Sequence, residues 1–353
     1  QVPFVSLALG PCAGMGAGRV AASHFSVMVK ELSQVFVAGP PVAIALGENV
    51  TKEELGGWKI QGQNGTVDNV VDTEADAFEA ARRFLSYLPP SVHELPERTP
   101  PADDPHRKEE FLLSIVPTDG KTPYKPRKIV EATVDRHSFF EIGHDWGRGM
   151  VCGFARIDGH PVGILAGDPF FLDGAWTADV CDKVTRHMDL CSMFHLPVVH
   201  FVDCPGFAVG VKAETAGVTR AGVRAMTAIY QANVPVCSVV IRKAYGLAGS
   251  TMMNQSKTKW RYCWPSGDWG SLPMAGGIEA AFRKELAEAE DPEELKAALY
   301  KKFEAIRSPF RTAESFLAEE IIDPRDTRPL LVDFIHHAVR VVETGEFRHG
   351  YRP

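Results

Sequence analysis

The stretch Val239–Met253, VVIRKAYGLAGSTMM, decides how the chain is read. Val239, Val240 and Ile241 form an apolar, β-branched run that predicts a buried strand. The residues RKAYGLAG then break that pattern, and small and apolar residues that suit a helix follow. A strand, a glycine turn and a helix N-terminus together aim backbone N–H groups at one point. Such a point can hold a carbonyl oxygen that becomes an anion. Taken alone, this stretch is better read as a plain tight turn, with Gly246 and Gly249 present for conformation.

A second stretch of the same kind changes that balance. Val5–Arg19, VSLALGPCAGMGAGR, is again an apolar run followed by a turn rich in Gly and Ala, then SHFSVMV. Each stretch is followed by a small-residue turn that opens a helix, VAGPPVAIAL at 37–46 and LPMAGGIEAAF at 272–282. The repeat of strand, glycine turn, helix, strand and small-residue turn predicts two similar modules. A length of 353 residues agrees with two domains.

Between the repeats, 75–88 carries apolar residues at helical spacing and predicts an amphipathic helix. PPSVHELPERTPPADDPHRKEE, beginning at Pro89, is dense in proline and charge and predicts a domain linker. Residues 123–145 are expected to be helical, and MVCGFARI with HPVGILAG to form a hairpin about Asp158 and Gly159. Helices are expected over 173–195, 213–232 and 278–307, with a buried strand at 197–203 ending in the turn CPGF. The class is α/β.

The net charge of −7 offers no electrostatic footprint for nucleic acid, and no apolar run reaches the length of a membrane span. Seven scattered cysteines, an odd number with no C-x-x-C pair, argue against a disulfide framework or a zinc site and for a reducing compartment. No histidine pair has metal-ligand spacing on one helix face, so no metal site is expected. Ser6, Ser250 and Ser271 lack a G-x-S-x-G context, and Gly14-Met15-Gly16 lacks the acidic residue that closes a dinucleotide-binding unit. His200, inside an apolar strand, reads as a core histidine, and His144 with Asp145 as solvated groups ending a helix. Two glycine turns without an evident acid, base or metal point to catalysis by backbone donors, with the substrate or cofactor supplying nucleophile and base.

These motifs resemble the carboxyltransferase (β) subunits of biotin-dependent acyl-CoA carboxylases, in the crotonase superfamily. GPCAGMGAG at 10–18, TKEELGG at 51–57, FLSYLPP at 84–90, GFARIDGHPVGILA at 153–166, FVDCPGFAVG at 201–210, ETAGVTRAG at 214–222 and RKAYGLAG at 242–249 carry the resemblance, in family order. It implies a crotonase-like spiral of ββα units in two modules. Residues 1–95 would be the later part of an acyl-CoA-side domain whose leading part is missing, and 96–353 a biotin-side domain. It also implies that the amides of Gly14 and Met15 hold the thioester oxygen of an acyl-CoA as an enolate. The amides of Leu247 and Ala248 would hold the ureido oxygen of biotin, with Tyr245, Gly246, Pro205, Gly206 and Phe207 lining that side. Carboxybiotin would release carbon dioxide in place and the biotin nitrogen would take the α-proton.

The implied partners are a biotin carboxylase/biotin carboxyl carrier (α) subunit and further copies of the chain, as a trimer of dimers. The implied location is the cytoplasm, or the mitochondrial matrix in a eukaryote. The family usually has Gly where Met15 and Leu247 stand, and a positive φ at either would be costly. A biotin-dependent acyl-CoA decarboxylase subunit and a non-catalytic scaffold paralogue remain open as alternatives.

Overall fold

In a computed structural model of the chain, residues 1–101, 103–252, 260–270, 274–346 and 350–353 are described. Met253, Ser271 and the start of the small-residue turn at 272–273 lie outside them. The first glycine turn follows two short strands, β1 (Val5–Ala8) and β2 (Pro11–Ala13), and opens α1 (Met15–Ala21). Then come β3 (Phe25–Val29), β4 (Gln34–Phe36) and α2 (Pro40–Ala45), which has Pro at its first positions, where a missing N–H costs no helical bond. Thr51 and Glu54 close a capping box at α3 (Lys52–Gly56), followed by α4 (Trp58–Gln61) and β5 (Asn69–Val71). A second capping box, Thr73 with Asp76, starts α5 (Glu74–Leu85). The parallel set β1-β3-β5 and the pair β2-β4 are the sheets of this part.

The proline-rich stretch is a packed strap. Val92 is buried, the Thr99 N–H donates to Gly159 O, and Arg107 holds Asp103 through three bonds, one of 2.9 and two of 3.1 Å. The helix expected over 123–145 is shorter: α6 (Pro126–Thr133) stops before Val134, and Phe140–Ile142 is a strand, β6. His137 adopts φ +61°, a turn that no helix accommodates, and FFEI finds a partner strand in β7 (Met150–Ile157). β7 and β8 (His160–Gly167) form the expected hairpin, with Asp158 at φ +49° and Gly159 at φ +78°.

Helix α7 (Ala178–Met193) starts later than the sequence pattern suggests, because Thr177 caps it and residues 172–174 all have positive φ. β9 (Val198–Cys204) follows, then α8 (Val211–Thr215) and α9 (Val218–Gln231), which Gly217 in the left-handed region separates. β10 (Val236–Tyr245) leads straight into α10 (Gly246–Met252). Two strands not expected from the sequence come next, β11 (Trp260–Cys263) and β12 (Asp268–Gly270). The long helix expected over 278–307 is three: α11 (Met274–Ala281), α12 (Arg283–Glu288) and α13 (Pro292–Ile306). α14 (Pro309–Glu314), β13 (Glu320–Ile321) and α15 (Thr327–Ala338) complete the chain's elements.

The large sheet has the order β13-β11-β10-β9-β8-β7-β6, parallel from β13 to β8, with β12 beside the far end of β10. Alternation along its strands serves two cores. In β9, Val198 and Val202 face the core shared with α7, α9 and α10, and Val199 and Phe201 the core under α6 and α15. No strand pairs across 89–105 among the described residues, yet one core joins both sides. Phe25 stacks on Phe84 at 4.6 Å and meets Phe140 edge-on at 5.6 Å. Asn69 bonds Glu141 O and the Gly143 N–H, and Arg186 on α7 pairs with buried Asp68 at 2.7 Å. All seven cysteines are free thiols, and no helix among the described residues is long and apolar enough to cross a membrane.

Candidate functional site

The two glycine turns share a positive-φ glycine at the start of a helix. Gly14 precedes α1 with φ +56° and Gly246 opens α10 with φ +59°. A positive φ is a conformation glycine adopts freely and other residues resist. Met15 and Leu247, one residue later in each turn, are not among the positive-φ residues, so the strain expected at them is absent. Both project outward instead, Met15 being 76% and Leu247 57% exposed. Gly249 is required by packing, since a Cβ there would lie 2.4 Å from the carbonyl carbon of Ala244.

A helix leaves its first N–H groups without helical partners. At the first turn the Gly14 N–H is already given to Val37 O at 3.0 Å and Phe36 O at 3.3 Å. Gly14 therefore shapes that turn, and its free donors are the N–H groups of Met15 and Gly16, which have no partner among the described residues. The corresponding donors at the second turn are Leu247 and Ala248, also without partners among the described residues.

The second turn stands at the C-terminal edge of the parallel strands, where open α/β sheets place their ligand sites. The register of β9 and β10 shifts between Val240 and Ala244, which brings Cys204 opposite Ala244. The CPGF turn consequently lies beside Tyr245: a Cβ on Gly206 would sit 3.9 Å from Tyr245 O. Gly206 O accepts from the Trp176 N–H at 3.0 Å, and Phe207 lies edge-on to the Trp176 indole at 6.1 Å and against Gly222. The structure thus gathers Tyr245, Gly246, Leu247, Ala248, Pro205, Gly206 and Phe207 at one sheet edge. Gly14 and Met15 belong to the smaller sheets.

Sequence reading missed the charges under this edge. β10 continues past Ile241, burying Arg242 and Lys243 inside the strand. Asp203 at the end of β9 accepts from Arg242 Nε at 3.1 Å, the Lys243 N–H at 3.1 Å and the Tyr124 hydroxyl at 2.9 Å. Burial pushes the Asp203 carboxyl up, and Arg242 and the Lys243 N–H oppose that shift. Burial and the neighbouring Asp203 hold the Tyr124 phenol well above its ordinary range, so it stays a donor. Lys243 Nζ binds both oxygens of Asp173, at 2.6 and 2.5 Å. Asp173 lies in a run of three positive-φ residues, Leu172, Asp173 and Gly174. Such strain persists only where neighbours over-determine it, and it clusters at functional sites.

Further along, Arg127 grips Glu141 through two nitrogens and Asp168 at 2.7 Å. Against the effect of burial, bonds from His144 and Arg127 hold Glu141 down at about 2. The same bond to Glu141 raises His144, so this histidine is held by Glu141 at 3.2 Å and is not merely a solvated end. His200 is a core residue, lowered to about 3 by burial. The one legible signal for the buried charges was an Arg-Lys pair set directly after an apolar run.

Comparison with known proteins gives the family and the fold. Residues 1–345 match the carboxyl transferase domain. The chain is 35% identical over 335 residues to the carboxyltransferase subunit of propionyl-CoA carboxylase from Haloferax mediterranei, covering 94% of this chain and 65% of that protein. It is 32% identical to the alpha subunit of methylmalonyl-CoA decarboxylase from Veillonella parvula, covering 94% and 64%. The chain thus spans a little under two thirds of the length of these curated relatives. A crystal structure of the transcarboxylase 12S hexamer, with methylmalonyl-CoA and methylmalonic acid bound, superposes with a TM-score of 0.91 at 31% identity, covering 98% of this chain and 68% of that one. The crotonase-like α/β fold expected from the motifs is therefore the fold of this protein, and the chain belongs to the carboxyl transferase domain family.

Proposed function

We propose that this protein is the carboxyltransferase subunit of a biotin-dependent acyl-CoA carboxylase. The observation that carries the reading is the pair of matching turns, each with a positive-φ glycine followed by two amides without a partner among the described residues. Biotin, delivered on a carrier domain, supplies the carboxyl group and the proton acceptor. The residues fit that group, because Leu247 and Ala248 offer N–H donors suited to a ureido oxygen. Tyr245, Gly246 and the Pro205–Gly206–Phe207 turn shape the surroundings. At the other turn, Met15 and Gly16 donate to the acyl-CoA thioester oxygen and stabilise the charge that grows on it. Gly14 orients that pair without donating.

Residues 1–95 form the acyl-CoA-side unit and 96–353 the biotin-side unit. The partners are an α subunit bearing biotin carboxylase and carrier domains, and further copies of the chain in a trimer of dimers. Support for the assembly comes from the apolar side chains exposed around the first turn, Met15, Val37, Val42, Ile44 and Leu46. The free thiols favour a reducing compartment, cytoplasm or matrix.

The likeness to a methylmalonyl-CoA decarboxylase subunit supports the same site running in the opposite direction as a second reading. A non-catalytic scaffold loses ground, since neither Met15 nor Leu247 occupies the strained position. The test is carboxyl transfer by the purified protein with its biotin-bearing partner, over acyl-CoAs of increasing chain length. Biotin-dependent label in one acyl-CoA supports carboxylation. Release of carbon dioxide from a carboxylated acyl-CoA, without net carboxylation, supports the decarboxylase. No turnover with any acyl-CoA, from a cooperatively folded protein, overturns both.

A further inference from the structure

We infer that Asp268 and Arg307 are positioning residues for the Gly246 turn, acting on it through the Tyr245 phenol. The inference rests on the carboxyl-transfer reading of that turn. Tyr245 is the last residue of β10, and its carbonyl forms the peptide bond to Gly246. The orientation of this residue therefore sets the direction in which the Leu247 and Ala248 amides point.

The phenol is held from two sides. Its O–H donates to Asp268 Oδ2, and its oxygen accepts from Arg307 Nη2. Arg307 also bonds Asp268 directly, Nε to Oδ1 at 2.7 Å and Nη2 to Oδ2 at 2.5 Å. Its guanidinium lies 4.7 Å from the centre of the Tyr245 ring. The three side chains form a closed ring of bonds in which each supports the other two. Tyr245 is 4% exposed and the Arg307 side chain 11%, while the Asp268 side chain, 36% exposed, forms the ring's solvent edge.

The members come from three elements. Asp268 begins β12, which pairs with the last three residues of β10, Tyr245 standing opposite Gly270. Arg307 caps the C-terminus of α13, 62 residues beyond Tyr245. β12 pairs the backbone at this end of β10, and the ring adds a side-chain anchor that ties it to the end of a helix. Burial, with the Asp268 charge, raises the phenol's pKa above its ordinary value, so the O–H remains a donor. Both polar positions of the phenol are thereby occupied, which suits positioning and leaves it no proton to exchange with substrate.

The test uses the full chain with its biotin-bearing partner and four variants: Tyr245→Phe, Arg307→Met, Arg307→Lys and the double variant Tyr245→Phe/Arg307→Met. Misplacement of a reacting group by about 1 Å costs roughly 100-fold. Each single removal should lower kcat for transfer by about 10- to 100-fold, with KM for acyl-CoA within about twofold of the parent. The double variant should be no slower than the slower single, because one ring is broken once. Arg307→Lys keeps the charge without the fork, and should recover part of the rate.

Hydrogen exchange in a peptide covering 245–252 gives a readout independent of activity. It should speed up in Tyr245→Phe and Arg307→Met while exchange at the Gly14 turn stays unchanged. Should Arg307→Met not fold, Tyr245→Phe, which keeps the ring's packing, decides. Unchanged exchange with unchanged kcat, or strictly additive losses, overturns the inference. A parent enzyme without transfer overturns the functional reading, and the exchange result still decides whether the ring holds the turn.

Discussion

Replacing Gly14 with alanine tests whether the glycine at each turn, and not the residue after it, bears the strained conformation. Gly14 has φ +56° and ψ −121°. That combination lies outside the small left-handed basin that other residues reach. Space is not the obstacle: a Cβ at Gly14 would meet only Val37 O, at 3.9 Å. The cost is therefore conformational, about 1–3 kcal/mol. The Gly14 N–H bond to Val37 O holds the turn in place, so the variant either carries that strain or swings the following amides away. Urea denaturation of Gly14→Ala should show a loss of about 1–3 kcal/mol. Any relaxation that recovers stability should appear as a fall of roughly 100- to 1000-fold in transfer, the usual effect of losing an oxyanion donor. Met15→Gly is the contrast. Met15 has an ordinary φ, so a glycine there should bring no gain in stability and no gain in rate. The reasoning fails if Gly14→Ala is as stable and as active as the parent, or if Met15→Gly stabilises the protein.

Three further outcomes follow, two from buried groups and one from the half-exposed partner of a buried lysine. Lys183 Nζ donates to Gly143 O at 2.7 Å, Trp146 O at 2.9 Å and Met150 O at 2.8 Å, so Lys183→Met should cost about 3–5 kcal/mol and speed proteolysis within 143–149. His187 and His200, both lowered to about 3 chiefly by burial, stay neutral in the folded protein when the unfolded chain takes up protons below about pH 6.5. Their contribution is present above that pH and falls as pH drops towards 3, by about 4 kcal/mol for the pair at pH 5, so the urea midpoint should drop between pH 7 and pH 5. A flat midpoint would count against the two buried neutral rings. Asp173→Asn should weaken the grip of Lys243 on the strained 172–174 run, giving faster hydrogen exchange there and slower transfer with unchanged melting elsewhere.

How much could be read in the sequence depends on what each residue's neighbours are. The hairpin at Asp158–Gly159 was legible because turn chemistry is local. The two glycine turns were legible because the same pattern occurs twice. The helix expected over 123–145 was misread because its apolar spacing continues beyond Thr133. Only the pairing of Phe140–Ile142 with β7, a contact made across sequence, turns that part into a strand. β11 and β12 were missed for the same reason: each is short, and it is β10 that makes them strands. Gly14 was legible as a turn glycine. That its amide is given to Val37 O was not, because the acceptor follows β4, on the far side of α1 and β3.

The buried Arg242 and Lys243 show where local reading and function part company. A central strand whose run Val239–Ile241 is wholly apolar has no local reason to go on through two cations. It does so because Asp203 and Asp173 wait at the ends of the neighbouring segments. Buried charge pairs are weak contributors to net stability, since desolvation offsets much of their attraction. They are strong determinants of arrangement, because breaking one partner leaves an uncompensated buried charge. Here they join the ends of β9 and β10 and the 172–174 run into one rigid edge, directly beneath the Gly246 turn. A core built only for stability would place apolar residues at 242 and 243. That this one does not is what a site needing fixed amide directions would require, and it is a physical argument in favour of the proposed biotin-side turn at this edge of the sheet.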